Sequence, residues 1–351
     1  MYHIWNQAVK VPKIEDLKEI ASERVTVKPF TPEKDGYIFL HGLAIASFKG
    51  KMYCTWAHNK VLENSDDEEV NFSVSEDGGK SWSPCRIGNL APEGIAVSHG
   101  SFLADGDSLY FFAPQFRGQL GKEMLRMHVY RLDEAACAFT DCGIALCDRF
   151  WPMCEPVLMD NGCYLMAGIY VGDHYRAPNN AAAVAISRGS DILHWDMVKI
   201  PKKEGVSVWG ECTVTVDGSR CCMYCREHSG KHVVLYAESN DFGASWSEMD
   251  LTDMPMIGSK PYAGTLSNGR RYLISSCAAD IRARDPLTIA LTDVGEDTFR
   301  TICKIDSGRV LSYPYAVELD GKLYVAYSAT TEGHNRNSAE LAIIPIEELT
   351  T

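Results

Sequence analysis

A glycine-centred hairpin signal recurs six times along this 351-residue chain and constrains the fold more than any other feature. The glycines follow one another at intervals of 51 to 56 residues, and they are Gly50, Gly106, Gly162, Gly218, Gly269 and Gly321. Most follow Asp or Asn and precede an apolar run, a pattern that favours a tight β-hairpin because type I′ turns need positive φ. A period of about 50 residues built from hairpins is typical of β-propeller blades.

A second hairpin signal follows the first in most repeats, clearest at 71–82 and 234–246. Two hairpins supply four strands, so the sequence predicts an all-β fold, a six-bladed β-propeller with four-stranded antiparallel blades. We expect one domain over 1–351, since no linker or change of composition marks a boundary. Residues 1–35 form an N-terminal extension in which 14–23 is a candidate short helix and part of which is a candidate for closing the ring.

Two of the second hairpins carry the same turn motif. Residues 75–82 read S-E-D-G-G-K-S-W and residues 239–246 read S-N-D-F-G-A-S-W, both matching S-x-D-x-G-x-x-W, the Asp-box. With this motif the chain resembles the sialidase-like (BNR-repeat) propellers over nearly its full length. The Asp orders the turn and the Trp packs between sheets, so we interpret the motif residues as structural.

The resemblance implies a set of site residues. Glu211, followed fifteen residues later by Arg226, matches the spacing of the catalytic Glu and a carboxylate-binding Arg in sialidases, and Tyr313 matches the nucleophilic Tyr. Sialidases bind the substrate carboxylate with a triad of arginines, and Arg282 or Arg284 is the candidate for a further member of it. Asp66 or Asp67 is the candidate for the acid/base Asp.

One position departs from the sialidase pattern. Where sialidases open the first inner strand with Arg-Ile-Pro, this chain has His41-Gly42-Leu43. A missing arginine removes a bidentate clamp on the sialic acid carboxylate, and histidine replaces it poorly. We therefore expect the chain to lie closer to the non-sialidase members of the group, such as rhamnosidases acting on rhamnosyl-glucuronic acid, than to true sialidases.

The spacing of the hairpins also predicts which residues line the channel, independently of the resemblance to sialidases. Each innermost strand runs into its glycine hairpin, so residues six to nine positions before each glycine are comparable. Every repeat has a polar side chain there, namely His41, His99, Glu155, Glu211, Lys260 with Tyr262, and Tyr313 with Tyr315. Because an unpaired buried charge costs several kcal/mol, we expect these groups to face one another, water or a ligand.

These observations yield one candidate site around the channel. The candidate catalytic residues are Glu211, Glu155, His41, His99 and Tyr313. The candidate substrate-binding residues are Arg226, Arg282, Arg284, Lys260, Tyr262, Trp151, Trp209, Tyr315 and, in the loop 334–337, Arg336. The remaining histidines and the cysteines show no metal-ligand spacing, so we expect neither a metal nor another cofactor.

Charge and cysteine content limit the expected binding partners and cellular location. The net charge of -13 argues against nucleic acid, which needs a basic surface. No apolar run approaches the roughly 18 residues that span a bilayer. The N-terminus lacks a secretory signal and the thirteen cysteines favour a reducing compartment, so a cytoplasmic location is expected. The oligomeric state stays open.

Three functions remain compatible with this sequence. Two channel glutamates suit an exo-acting glycoside hydrolase that releases a terminal sugar from a sialyl- or uronate-containing glycan. A His–Tyr pair with an Arg suits instead a polysaccharide lyase that cleaves uronates by β-elimination. A non-catalytic glycan-binding propeller is the third. In each case the expected partner is a carbohydrate.

Overall fold

The computed structural model, described here for residues 1–61, 63–88, 90–119, 122–175, 179–333 and 336–350, is a ring of six antiparallel sheets. This arrangement confirms the predicted six-bladed β-propeller. All six hairpin glycines have positive φ, as the turn signal requires. Within the described ranges no helix is long and apolar enough to cross a membrane.

The strands of the first three blades follow the chain order. Blade 1 contains β3 (Phe39–Phe48), β4 (Lys51–Asn59), β5 (Glu69–Ser75) and β6 (Arg86–Ile87). Blade 2 contains β7 (Ala96–Val97), β8 (Ser101–Asp105), β9 (Ser108–Arg117), β10 (Glu123–Asp133) and β11 (Ala138–Leu146). Blade 3 contains β12 (Phe150–Pro152), β13 (Val157–Leu158), β14 (Tyr164–Tyr170), β15 (Ala181–Arg188) and β16 (Asp191–Lys199). In blades 2 and 3 the innermost strand is split into two short pieces that both pair with the next strand.

The other three blades continue the ring. Blade 4 contains β17 (Val208–Asp217), β18 (Arg220–Glu227), β19 (Val233–Ser239) and β20 (Asp250–Pro255). Blade 5 contains β21 (Tyr262–Thr265), β22 (Arg271–Ser275), β23 (Leu287–Thr292) and β24 (Phe299–Asp306). Blade 6 contains β25 (Leu311–Leu319), β26 (Lys322–Glu332) and β27 (Arg336–Pro345).

The N-terminal extension ties these later blades together. β1 (Lys18–Glu19) adds a parallel strand to the outer edge of blade 5. β2 (Glu23–Lys28) pairs with β27 and supplies the fourth, outermost strand of blade 6. Because first and last segments of the chain share this blade, their pairing closes the ring.

Among the described residues, helical structure is confined to three short turns. The predicted helix over 14–23 is wrong, since only Ile14–Asp16 forms a 3-10 turn and the chain is extended again from Lys18. The other two are α1 (Pro32–Asp35) and the 3-10 turn Ile346–Leu349. β1 draws the chain into the edge of blade 5, where strand pairing replaces helical hydrogen bonds.

The Asp-box turns hold their hairpins through side-chain contacts. Asp77 Oδ1 accepts the backbone N–H of Ser81 at 2.9 Å, and the Trp82 indole N–H donates to the Gly79 carbonyl at 3.0 Å. In the second box Asp241 Oδ1 accepts the Ser245 N–H at 2.9 Å. These bonds, on the face where the hairpin glycines lie, fix the turn geometry rather than form a site.

Candidate functional site

Three innermost strands carry an irregularity near the end where they begin, opposite the hairpin glycines. Register shifts lie between His41 and Ala44 in β3, between Val208 and Cys212 in β17, and between Ser312 and Tyr315 in β25. A β-bulge turns a side chain away from the regular alternation and is frequent beside active sites. The three bulges place His41, Glu211 and Tyr313 at one end of the channel.

Glu211 is the centre of this end. Its Oε2 accepts a hydrogen bond from Arg226 Nη1 at 2.8 Å, and its Oε1 accepts one from the Tyr313 hydroxyl. Glu211 is 1% exposed and Tyr313 5% exposed, so the contact is isolated from bulk water. We call Glu211, Tyr313, Arg226, His41 and His99 the upper cluster.

The protonation states in the upper cluster follow from its charges. Burial opposes ionisation of Glu211, but the Arg226 charge and hydrogen bonds from Arg226 and Tyr313 outweigh it and lower its pKa. Burial, followed by the charge of Glu211, raises the pKa of Tyr313 well above its usual value. At rest, Glu211 is therefore a carboxylate that accepts a hydrogen bond from the neutral Tyr313 phenol.

The Tyr313 backbone has an unusual conformation. Its φ is +55°, in the left-handed region that non-glycine residues rarely occupy. Neither Tyr313 nor Pro314 has a register partner on β26, where pairing passes from Ser312 directly to Tyr315. Such conformations concentrate at functional sites because the surroundings must hold them.

The two histidines pack against Tyr313. The ring centroid of His41 lies 3.6 Å from that of Tyr313, and the centroid of His99 lies 5.9 Å from it. Burial, assisted by the charge of Lys260, lowers the pKa of His99 to about 3. His99 is therefore a neutral imidazole near pH 7, which weakens its predicted role as an acid/base.

An aromatic wall lies beside the cluster. Tyr175, which is partly exposed, stacks on Trp151 with centroids 5.5 Å apart and meets Trp209 edge-on at 5.7 Å. The guanidinium of Arg226 lies 4.9 Å from the Trp209 ring centre. Trp151 is 1% exposed and donates its indole N–H to the His99 carbonyl at 3.0 Å, so in this conformation it packs rather than faces solvent.

The predicted arginines occupy different environments. The Arg284 charge lowers the pKa of both Glu211 and Tyr313, and its Nη2 donates to the Gly258 carbonyl at 3.0 Å. Arg282 is exposed and donates to its own neighbour, the Ile281 carbonyl, at 2.6 Å. Arg336 pairs with Glu332 at 3.2 Å on the surface of blade 6. Of the predicted arginines, Arg226 and Arg284 lie at the upper cluster. Arg282 and Arg336 make surface contacts instead. In the predicted loop 334–337, His334 and Asn335 lie outside the described residues.

Glu155 belongs to a second group nearer the hairpin end. Its Oε1 accepts a hydrogen bond from the Tyr262 hydroxyl at 2.7 Å, and Tyr315 packs on Tyr262 with centroids 4.8 Å apart. We call Glu155, Tyr262 and Tyr315 the lower cluster. A cavity of about 220 Å³ is bordered by Glu155 and Tyr315. Burial raises the pKa of Glu155, the reverse of the shift at Glu211.

The expectation that Glu155 and Glu211 share one register is wrong. In blade 4 the hairpin pairs Asp217 with Arg220, whereas in blade 3 the last pair is Leu158 with Tyr164, so the blade 3 connection is longer. The same count back from the glycine therefore ends closer to the hairpin in blade 3. Lys260 lies near both glutamates. Burial lowers the pKa of Lys260, and the charges of Glu211 and Glu155 oppose this shift.

Three contributors were missed from the sequence. Tyr175 lies in the loop after β14 and has no motif around it. Lys122 is fully buried, with its Nζ 3.8 Å from the Phe116 ring centre and 5.2 Å from each of the Trp151 and Tyr175 ring centres. Burial and the charge of Glu211 raise the pKa of Tyr175, and Glu63 is close enough for its charge to add to that shift. Each comes from a loop whose path the hairpin period does not describe.

The two predicted acid/base candidates lie in the loop before β5. Asp66 Oδ1 accepts the Gly118 N–H at 2.7 Å, which links this loop to blade 2. Asp67 contacts Ser65 and, at 3.4 Å, the Lys60 N–H. Both border a cavity of about 500 Å³ between blades 1 and 2. In the described parts of the chain no group of three or more His, Cys, Asp or Glu is arranged to hold a metal ion.

Comparison with known proteins supports the prediction of a sialidase-like propeller. Residues 153–325 match the BNR repeat-like domain. A Trypanosoma rangeli sialidase mutant displaying trans-sialidase activity matches with a TM-score of 0.69 and 16% identity, over 95% of this chain and 60% of that one. A Hadza microbial sialidase matches with a TM-score of 0.70 and 14% identity, over 92% of this chain and 68% of that one.

A third structure is similar over its whole length. A Dyadobacter fermentans protein of unknown function matches with a TM-score of 0.73 and 15% identity, over 95% of this chain and 99% of that one. No curated protein matches this chain in sequence. This chain spans 60% of the length of the T. rangeli enzyme, and at these identities the likeness shows the fold. The predicted closeness to rhamnosidase-type members is not confirmed by these matches.

Proposed function

Because this chain is a sialidase-like six-bladed propeller, we propose that it is an exo-acting glycoside hydrolase that releases a terminal sugar from a sialyl- or uronate-containing glycan. The observation that carries the proposal is the contact of the Tyr313 hydroxyl with the Glu211 carboxylate, which is itself paired with Arg226. Tyrosine nucleophiles are known among glycoside hydrolases in sialidases, where the usual pair of carboxylates is replaced.

In the proposed reaction Tyr313 is the nucleophile and Glu211 its base. Tyr313 Oη forms a bond to the anomeric carbon while its proton passes to Glu211 and the bond from that carbon to the leaving oxygen breaks. A carboxylic acid from the loop 60–68 protonates the leaving oxygen, with Asp66, Asp67 and Glu63 as candidates. Water then attacks the anomeric carbon and gives one proton to the loop carboxylate, which restores the acid. The bond from the sugar to Tyr313 breaks, Tyr313 regains its proton from Glu211, and the sugar is released.

Charge and shape support an acidic sugar as substrate. Arg226 pairs with Glu211 and the charge of Arg284 also acts on it, so two guanidinium groups lie close to this carboxylate. A sugar carboxylate placed there restores the charge balance, and arginine binds carboxylates in a planar, bidentate manner. Tyr175 and Trp209 are both partly exposed and offer aromatic surface to a sugar ring beside them.

The lyase alternative has weaker support. β-Elimination needs a base strong enough to take a proton from carbon, and a base is most effective when its pKa lies near the working pH. The pKa of His99, about 3, makes its neutral imidazole a poor base. Glu211 is held as a carboxylate by Arg226, which suits removal of a phenol proton along an existing hydrogen bond.

A panel of aryl glycosides with sialyl, rhamnosyl and glucuronyl groups tests the proposal. We expect the wild type to release the aryl group from at least one member and Glu211→Gln to lose about 10²–10⁴-fold in rate. Glu340→Gln is the matched control, because Glu340 is also a buried strand glutamate paired with an arginine, Arg309, away from the channel. Unchanged kinetics in Glu211→Gln refute the assignment, and tight binding of a glycan without product identifies a binding propeller.

A further inference from the structure

Lys260 lies directly beneath the upper cluster. It precedes β21 in blade 5 and is 2% exposed. Its Nζ donates to the carbonyl oxygen of Pro314 at 3.2 Å. A buried lysine ammonium has three N–H groups to satisfy, and burying it is costly unless it has a specific partner. With this burial and this bond, Lys260 is poorly placed for the substrate contact expected from its sequence position.

The carbonyl that Lys260 binds belongs to an unsupported part of β25. Tyr313 and Pro314 have no partners on β26, and Pro314 has no N–H to donate to a ladder. Tyr313 also holds a left-handed φ of +55°. The strand pairing therefore does not fix this segment, and the bond from Lys260 crosses from blade 5 to hold it.

The charge of Lys260 also interacts with the two channel glutamates. Burial lowers the pKa of Lys260, and the charges of Glu211 and Glu155 oppose that shift, so its amino group lies within electrostatic reach of the two carboxyl groups. Its Nζ is also 5.7 Å and 5.6 Å from the ring centres of Tyr262 and Tyr315. Lys260 thus joins the upper cluster to the lower cluster.

We infer that Lys260 is a positioning residue that anchors the Tyr313–Pro314 bulge and so holds the Tyr313 hydroxyl on Glu211. The catalytic part of this inference rests on the proposed function, in which Tyr313 is the nucleophile. Its structural part, the anchoring of the bulge by a lysine from the neighbouring blade, does not. Lys260 itself touches no reacting atom.

Lys260→Met tests both parts, since methionine keeps most of the side-chain volume and removes the donor. We expect kcat to fall about 10–100-fold on the best aryl glycoside, as misplacement of a reacting group by about 1 Å costs on the order of 10²-fold. We expect KM to change less than about threefold, because substrate contacts stay. Hydrogen exchange of the β25 segment should become faster, and Lys260→Arg, which keeps a donor, should restore part of both losses.

Lys28→Met is the matched control. Lys28 is also buried and donates to a proline carbonyl, that of Pro29 at 2.6 Å, but it lies on the outermost strand of blade 6. It should leave kcat and the exchange of β25 unchanged. If Lys260→Met does not fold, Lys260→Gln, with a neutral donor, gives the same comparison.

The outcomes separate the two proposals. Slower turnover with a steady KM and faster exchange in β25 supports the inference. Unchanged exchange in β25 overturns the anchoring, and a rise in KM with unchanged kcat overturns the positioning role and makes Lys260 a binding residue. If the wild type hydrolyses no glycoside, the proposed function fails, and the exchange measurement still decides whether Lys260 anchors the bulge.

Discussion

Gly42 is the position at which a single added methyl group should disturb the upper cluster most. It lies on the β3 bulge with φ +64°, and a Cβ there would be 2.1 Å from His99 Cγ and 2.3 Å from His99 Cδ2. The left-handed backbone costs an alanine about 1–2 kcal/mol. Displacing a buried ring adds about 1–3 kcal/mol, as overpacking in a core does. We therefore expect Gly42→Ala to lower the free energy of unfolding by about 2–5 kcal/mol.

Two further variants separate these costs. Gly106 also has positive φ, +54°, but a Cβ there would meet nothing within 4 Å, so Gly106→Ala should cost only the backbone part, about 1–2 kcal/mol. His99→Ala removes the ring that the new methyl group strikes. In a double-mutant cycle the Gly42→Ala and His99→Ala changes should therefore couple favourably, by about 1–3 kcal/mol.

Urea unfolding followed by tryptophan fluorescence measures these free energies for all the variants. The same Gly42→Ala protein should also lose turnover, because His99 packs against both Tyr313 and Trp151. Equal destabilisation by Gly42→Ala and Gly106→Ala, with no coupling to His99, would refute the close packing on which the argument depends.

Two other predictions concern charge. Burial lowers the pKa of His58 from 6.5 to about 3, so below pH 6.5 the unfolded chain binds a proton that the folded chain does not. Stability contributed by the neutral ring is therefore present above pH 6.5 and declines by roughly 1.4 kcal/mol per pH unit down to about pH 3. Between pH 7.5 and 5.0, His58→Phe should lose about 2 kcal/mol less stability than the wild type; parallel pH profiles would contradict this. Arg226→Met leaves the Glu211 carboxylate buried without its partner and should cost about 3–5 kcal/mol in urea unfolding. Adding Glu211→Gln to Arg226→Met should recover part of that loss, and a purely additive double variant would count against the ion pair.

The blade count was predictable because it depends on local turn chemistry. A hairpin that needs positive φ selects glycine wherever the chain runs, and the Asp-box closes its turn with bonds inside eight residues. The depth of Glu211 and Tyr313 in the channel was also predictable from the sequence, since β17 and β25 run unbroken into short hairpins. In these blades counting back from the glycine measures depth in the channel.

Other parts of the candidate site depended on packing that no local pattern records. The same count misplaced Glu155, because β12 and β13 are separated by residues 153–156 and the following connection is longer. Tyr175 and Lys122 reach the wall from loops, and their positions follow from which rings lie opposite them.

The sequence by itself determined the six blades, the Asp-box turns and the kinds of side chain that line the channel. Only the tertiary structure decided which of them meet. Glu211 joins Tyr313 and Arg226, while Glu155 joins Tyr262, and Lys260 binds the Pro314 carbonyl. The physical reason is that turns are fixed by the φ preferences of a few adjacent residues. Contacts across a channel depend instead on the register, bulges and depth of strands far apart in the chain.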